Sequence, residues 1–308
     1  MATETYPANR RPADALVRLK PDGRVLVASG THELGTGMYT VLTQVTADAL
    51  GMPPELIDAE LGDTVLPKAP TSAGSMSSTA SVTPAVQGAA ADAREKLLAL
   101  AISDEQCPAY GMAASEVVFD GGRIFCKSTP AASESFTVLL RRHGNKPLEG
   151  TAHAEPGKTK EEFSAHSFGA VFAEVTVDPE LGIVCVPRIV AVYDVGKLIN
   201  EKTASSQFIG GIVWGISLAL QEDTYVDPSS GRIINANLAE YHVPVNADIG
   251  SIDVSALDIA DTKIDPLGAR GIGEIGITGT GAAVANAIYH ATGKRIRDLP
   301  ITPDKLLV

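Results

Sequence analysis

Cysteine is scarce: Cys107, Cys126 and Cys185 are the only three in 308 residues. Widely spaced and odd in number, they make neither a disulfide framework nor a zinc site, and a reducing compartment is the default. Positive charge is short as well. The 25 Lys and Arg against 37 Asp and Glu leave a net charge of −12, which disfavours binding to a phosphate backbone, since nucleic-acid binders carry a basic face. No apolar run reaches the roughly 18–20 residues of a membrane helix. The longest, Phe208 to Leu220, holds Gly210, Gly211, Gly215 and Trp214, and we read Trp214 as core. The N-terminus, MATETYPANRRP, has no apolar stretch of the signal-peptide kind. We therefore expect a cytoplasmic setting, with export alongside a partner chain left open. GxSxG, HExxH and CxxC are all absent, and His32, His143, His153, His166, His242 and His290 show no metal-ligand spacing.

What remains is an ordinary globular composition, 44% hydrophobic and 20% charged, long enough for a sizeable core. Residues 1–22 read as a polar lead-in segment. Strands are expected at Arg24–Ser29, Leu56–Leu61, Glu116–Phe119 and Arg123–Cys126. Helices are expected at Met38–Leu50 and Pro84–Ala101. Phe168–Val177 and Ile183–Tyr193, joined by the turn signal Asp178–Gly182, predict a hairpin. A helix over about Gln207–Glu222, a strand at Ser251–Leu257 and a helix at Ala282–Thr292 complete the pattern. Residues 103–165 are less regular, and EPGKTKEE at 155–162 reads as an exposed loop more than a linker. The class is α+β, with mixed sheets, hairpins and packed helices. We place one subdomain at 1–160 and a second at 161–308.

Four polar or glycine-rich stretches lie ahead of helices. The most distinctive is GARGIGEIGITGTG at 268–281. Its Gly271-Ile272-Gly273-Glu274-Ile275-Gly276 is formally GxGxxG, but a nicotinamide site needs an apolar strand before it. Asp261–Pro266 is polar and broken by proline. The segment reads as a packing loop, or as bare amides near an anion with Glu274 projected beside them. Flanked by Ile272 and Ile275, that carboxylate is expected to have a raised pKa and to suit general-base work. Gly35-Thr36-Gly37 opens the helix at Met38, where amides can bind phosphate. Thr71–Ser81 offers hydroxyls that would bind phosphate or cap a helix. Lys197–Thr203 with Gln207 brings amide side chains to a helix start, where capping explains Asn200 equally well. Together the four suggest one long ligand with several phosphates or polar ring edges.

In this order, GTHELGTGMYTVLTQVTADALG, GSMSSTASV, VYDVGKLINEKTASSQFIGGIVWGISLALQE and GARGIGEIGITGTGAAVANAI closely resemble the C-terminal half of the molybdenum-binding subunit of the xanthine dehydrogenase and aldehyde oxidase family. The likeness is nearest to bacterial aldehyde oxidoreductases that use molybdopterin cytosine dinucleotide. It covers almost the whole chain, and the motifs are specific in combination.

The resemblance implies that Glu274 is the general base, taking the proton from Mo–OH while an aldehyde or N-heterocycle is oxidised with water-derived oxygen. Arg270, Gly271, Ile272 and Gly273 would line the cofactor, and Gly35, Thr36 and Gly37 would hold the pterin phosphate region. Gly74 and Ser75 would also contact it, and Lys197, Leu198, Ile199, Asn200, Thr203 and Gln207 would bind the dinucleotide. Molybdenum is held by the pterin in this family, so no protein metal ligands are expected. Iron–sulfur and FAD groups would sit on partner chains, since three scattered cysteines cannot bind a cluster. The family's subunit is more than twice this length. The N-terminal half would be a further partner, whether the chain is a split subunit or a fragment, and the isolated chain would be inactive. Tyr241, His242 and Arg232 are weaker pocket candidates. The rival readings are a non-catalytic cofactor-binding or assembly module, and a nicotinamide-dependent oxidoreductase.

Overall fold

The computed structural model describes residues 1–70 and 78–307. In chain order its elements begin with strands β1 (Ala2–Pro7), β2 (Ala13–Leu19) and β3 (Val25–Ala28), helix α1 (Met38–Leu50), strand β4 (Ile57–Glu60) and helix α2 (Ser78–Ser103). Strands β5 (Val117–Asp120), β6 (Arg123–Cys126) and β7 (Ser133–Ser135), helix α3 (Phe136–Arg142), strand β8 (Leu148–Ala154) and the single turn α4 (Thr159–Glu162) follow. The chain ends with strands β9 (His166–Val177) and β10 (Val184–Asp194), helix α5 (Glu201–Leu220), strand β11 (Ile249–Ala256), and helices α6 (Ile275–Thr278), α7 (Thr280–Thr292) and α8 (Pro303–Leu307).

These elements form two compact units, each discontinuous in sequence. One holds Met1–Ala8, His166–Ile259 and Ile272–Val308; the other holds Asn9–Ala165 and Ala260–Gly271. The division expected at 160/161 differs from this in three segments: residues 161–165 stay with the preceding part, and the first eight residues and the stretch 260–271 each belong with the more distant part of the chain.

The first unit is built on the sheet β1-β9-β10-β11. β9 and β10 are the expected hairpin, antiparallel with Val184 opposite Val177. β11 joins β10 in parallel, Val186 opposite Ile249, through the long connection that carries α5. One face of the sheet is covered by α5 and α7, and Val171, Ile189, Tyr193, Phe208, Ile212, Ile216, Val284 and Ile288 form the core between them. In the second unit the sheet β4-β3-β2-β8 is packed by α2 and α1, and β5-β6-β7 makes a small separate sheet.

Three readings need correction. Residues 1–22 are not a lead-in segment. Ala2, Glu4 and Tyr6 turn toward the core side of β1, and Ala13, Ala15, Val17 and Leu19 are buried along β2 with alternating partners half-exposed, the two-residue period of a strand. Helix α2 does not wait for Pro84: it is already helical at Ser78, the first described residue after 70. Pro84 cannot donate to the carbonyl four residues back, and that carbonyl, Ala80 O, accepts from Arg10 Nε at 2.8 Å instead. Trp214 is not core: it is 57% exposed. On α5 the buried positions include Ala204, Phe208, Ile212, Ile216 and Ala219, and Trp214 falls on the opposite side with Leu218. By length and composition alone α5 would reach across a membrane; its Phe208–Ile212–Ile216 stripe lies in the first unit's core, as in a core helix.

Candidate functional site

Glu274 sits at the N-terminal end of α6, a single turn fixed from beneath. Ile275 is fully buried. At the next residue α5 comes so near that a Cβ on Gly276 would stand 2.7 Å from Phe208 O and 3.2 Å from Gly211 Cα, so only glycine fits. Thr280 Oγ1 donates to Gly276 O at 2.8 Å. Glu274 itself is exposed, and its Oε2 accepts the Tyr6 hydroxyl. The apolar neighbours expected to enclose the carboxylate face elsewhere: Ile275 belongs to the core and Ile272 packs against its edge.

Strand β1 supplies a second contact. Glu4 Oε2 accepts Thr278 Oγ1 at 2.7 Å and the amide of Gly279. Burial pushes the Glu4 carboxyl up, outweighing these bonds, which favour its charged form. Its other oxygen, Oε1, is buried without a hydrogen-bond partner, as is the Tyr193 hydroxyl. Gly169, opposite Glu4 on β9 and opposite Tyr193 on β10, makes room for both. A Cβ there would lie 2.7 Å from the Tyr193 ring and 2.8 Å from Glu4 Oε1. The Tyr193 ring stacks on Phe208 of α5, centroids 4.4 Å apart. Strand, sheet and helix thus converge under the Glu274 turn. Sequence reading missed Glu4 and Tyr6. The signal available was the alternation in Ala2-Thr3-Glu4-Thr5-Tyr6.

The dinucleotide candidates lie at the start of α5. Asn200 is its N-cap, its side chain accepting the Thr203 amide at 2.9 Å, so capping is realised there. Leu198 N donates to Asp258 Oδ1 at 2.8 Å. Lys197 is exposed, and Ile199, Thr203 and Gln207 are half-buried. Of the weaker pocket candidates, Tyr241 donates to Glu222 Oε2 at 2.9 Å, while His242 and Arg232 are exposed.

In the second unit, the amides of the Gly35-Thr36-Gly37 turn are not held open for a phosphate. Glu33 Oε1 accepts from Gly35 N at 2.6 Å and Gly37 N at 3.0 Å. Burial would raise this carboxyl, but the amides of Gly37, Gly35, Met38 and Thr36 together hold it below its ordinary value. The chain thus provides its own anion at the N-terminus of α1. Arg270 is buried, 3.8 Å from Asp261, and Gly271 is half-buried. Nearby in sequence, Asp265 is 2% exposed. Its Oδ1 accepts from Leu267 N and Gly268 N at 2.6 and 2.9 Å, and its Oδ2 is buried without a partner. Burial pushes this carboxyl up to about 6, against the lowering by backbone amides and Arg10. Arg10 Nη1 donates to Ile264 O at 2.7 Å, tying the 260–271 stretch to β2's approach. Gly74 and Ser75 lie outside the described residues. Among the described residues no group of three or more His, Cys, Asp or Glu is arranged to hold a metal.

Comparison with known proteins now decides the lineage. The model of a molybdopterin cofactor-binding domain matches residues 1–250. The chain belongs to this family. The aldehyde oxidoreductase molybdenum-binding subunit PaoC of Escherichia coli O157:H7 is 37% identical over 293 residues, covering 95% of this chain and 38% of that protein. The xanthine dehydrogenase molybdenum-binding subunit of the same organism is 29% identical over 307 residues, covering 99% and 40%. Among solved structures, quinoline 2-oxidoreductase from Pseudomonas putida 86 superposes with a TM-score of 0.84 at 25% identity, covering 99% of this chain and 40% of that one. The chain therefore spans about two fifths of the length of each. The α+β cofactor-binding domain and the kinship with molybdenum-binding subunits of the xanthine dehydrogenase and aldehyde oxidase family, read from the motifs, both hold.

The residues of this domain fit a phosphate-bearing pterin in two respects. Gly273 in the first unit leaves open space where a Cβ would stand, so a ligand can lie against bare backbone there. Arg270 provides a largely desolvated cation, the kind that pairs with phosphate. The 35–37 amides contribute less than the glycines suggested, because Glu33 already holds them.

Proposed function

We propose that this chain carries the base-bearing part of a molybdenum hydroxylase that oxidises an aldehyde or N-heterocycle, with oxygen derived from water. Molybdopterin cytosine dinucleotide is the cofactor in this reading, and when bound it supplies the two-electron redox chemistry. Arg270, Gly271, Ile272 and Gly273 line it, Gly35, Thr36 and Gly37 approach its pterin end, and Lys197, Leu198, Ile199, Asn200, Thr203 and Gln207 approach its dinucleotide end. Gly74 and Ser75 belong to the same set. Glu274 takes up the proton released as the new carbon–oxygen bond forms. The rest of a molybdenum-binding subunit completes the pocket, and iron–sulfur and FAD chains remove the electrons.

The observation that supports this reading is the Glu274 carboxylate, exposed on a glycine-rich turn and held by a tyrosine, in a chain that belongs to a molybdopterin cofactor-binding family. A carboxylate held in one orientation and open to an incoming group meets the geometric demand on a general base. The subunit names of the relatives support the existence of partner chains. The test is Glu274→Gln in the assembled holoenzyme. Turnover falls by about 10²- to 10⁴-fold while the molybdenum content of the purified complex stays the same. Retained turnover overturns the assignment.

A further inference from the structure

We infer that strand β1 is the positioning element for Glu274, with Tyr6 fixing its carboxylate and Glu4 fixing the turn behind it. This rests on the reading of Glu274 as the base. Tyr6 and Glu4 are two residues apart on one strand, so they stand on the same face about 7 Å apart. The frame is rigid, because β1 pairs with β9 along its whole length, from Ala2 opposite Val171 to Pro7 opposite His166. The two side chains grip opposite ends of one short segment. Tyr6 donates to Glu274 Oε2, and Glu4 Oε2 accepts from Thr278 Oγ1 and from the amide of Gly279. Between these ends Ile275 is buried and Gly276 lies against the α5 backbone.

An exposed glutamate with three free torsions would sample many rotamers, and ordering it carries an entropic cost. The phenol meets that cost before substrate arrives, since a hydrogen bond to a charged acceptor is among the stronger kinds. It also divides the labour between the carboxylate oxygens: Oε2 is engaged by Tyr6, which leaves Oε1 to take the proton. Tyr6 touches no reacting atom in this scheme. It acts through Glu274, and Glu4 acts through the α6 turn.

The test uses two preparations. In the 308-residue chain, the antisymmetric carboxylate stretch that disappears in Glu274→Gln is followed by infrared difference spectroscopy. It moves in Tyr6→Phe if the phenol is bonded to it, and an unmoved band overturns the proposal. In the assembled holoenzyme, Tyr6→Phe lowers kcat roughly tenfold with KM kept within about twofold. Glu4→Ala gives a similar loss, and Glu4→Gln, which keeps the acceptor for Thr278 and Gly279, recovers most of it. Equal losses for Glu4→Gln and Glu4→Ala, or a Tyr6→Phe effect confined to KM, overturn the positioning role. If Glu274→Gln retains turnover, the base reading fails by itself, and the infrared band still reports whether Tyr6 holds the carboxylate.

Discussion

The loops Gly30–Gly37 and Gly268–Gly281 look alike as sequence: glycines at short intervals, one glutamate inside, a helix following. Their glutamates do opposite things. Glu33 turns back onto the amides of its own loop, closing the N-terminus of α1. The Glu274 side chain is exposed, and its Oε2 accepts the Tyr6 hydroxyl from another strand. Spacing of glycines does not separate the two cases. What does is where the neighbouring elements come: nothing stands within 4 Å of a Cβ on Gly35, whereas α5 runs directly behind Gly276. One loop is satisfied locally, and the other is supported from outside and left with a carboxylate to offer.

This contrast is broken most severely at its packing. Gly276→Ala places a methyl against Phe208 O and Gly211 Cα, two backbone segments that cannot step aside without moving α5. We expect a loss of about 2–4 kcal/mol, measured by urea unfolding, together with loss of any infrared signature of the Tyr6–Glu274 bond. Gly35→Ala meets open space and carries only the strain of its φ of +97°, about 1–2 kcal/mol. If the two substitutions cost the same, close approach is not what distinguishes the loops.

The legibility of the molecule from sequence follows the same line. Helix α1 is readable to the residue, because Val41, Leu42, Val45 and Leu50 carry its period and Gly51 ends it in the left-handed conformation. The β9–β10 hairpin is readable from its turn. Strand β1 is not: its inward positions hold Ala2, Glu4 and Tyr6, so apolar periodicity is weak and the strand is specified by partners 159 or more residues away. Trp214 misleads for a related reason. An apolar stretch on a helix implies a buried side, but which residues share that side depends on the helix's phase, and Phe208, Ile212 and Ile216 take it. Glu274 was legible as a candidate through its motif, while its supports, Tyr6 and Glu4, came from a segment with no motif at all.

A smaller effect tests the first loop. Glu33→Gln exchanges a charged acceptor for a neutral one at the start of α1 and is expected to cost about 0.5–1.5 kcal/mol at pH 7. The pH dependence has a definite sign. The carboxyl is held below its ordinary value of 4.5 in the folded chain, so its contribution is fully present above that value and is lost as pH falls through the folded one. Unfolding curves of the parent and Glu33→Gln should therefore converge on acidification. A gap that stays constant down to pH 3 would mean that Glu33 acts by shape alone.

The smallest effect is expected at the anchor of the second loop, and it runs the other way. Glu4 is desolvated, its carboxyl lies above its ordinary value, and one of its oxygens has no partner. A folded-state pKa that is raised gives stability that is present below the unfolded value and lost as pH rises through the folded one. At neutral pH the parent therefore carries a burial penalty that Glu4→Gln lacks. The substitution weakens two bonds from Thr278 and Gly279 but removes that penalty, and the terms oppose each other. The net change at pH 7 should lie within about 1 kcal/mol, and it should shift in favour of the parent as pH is lowered. Glu33→Gln and Glu4→Gln would then trace curves of opposite slope in one molecule: the amides of its own loop pull one carboxyl below its ordinary value, and burial beneath a loop pushes the other above it.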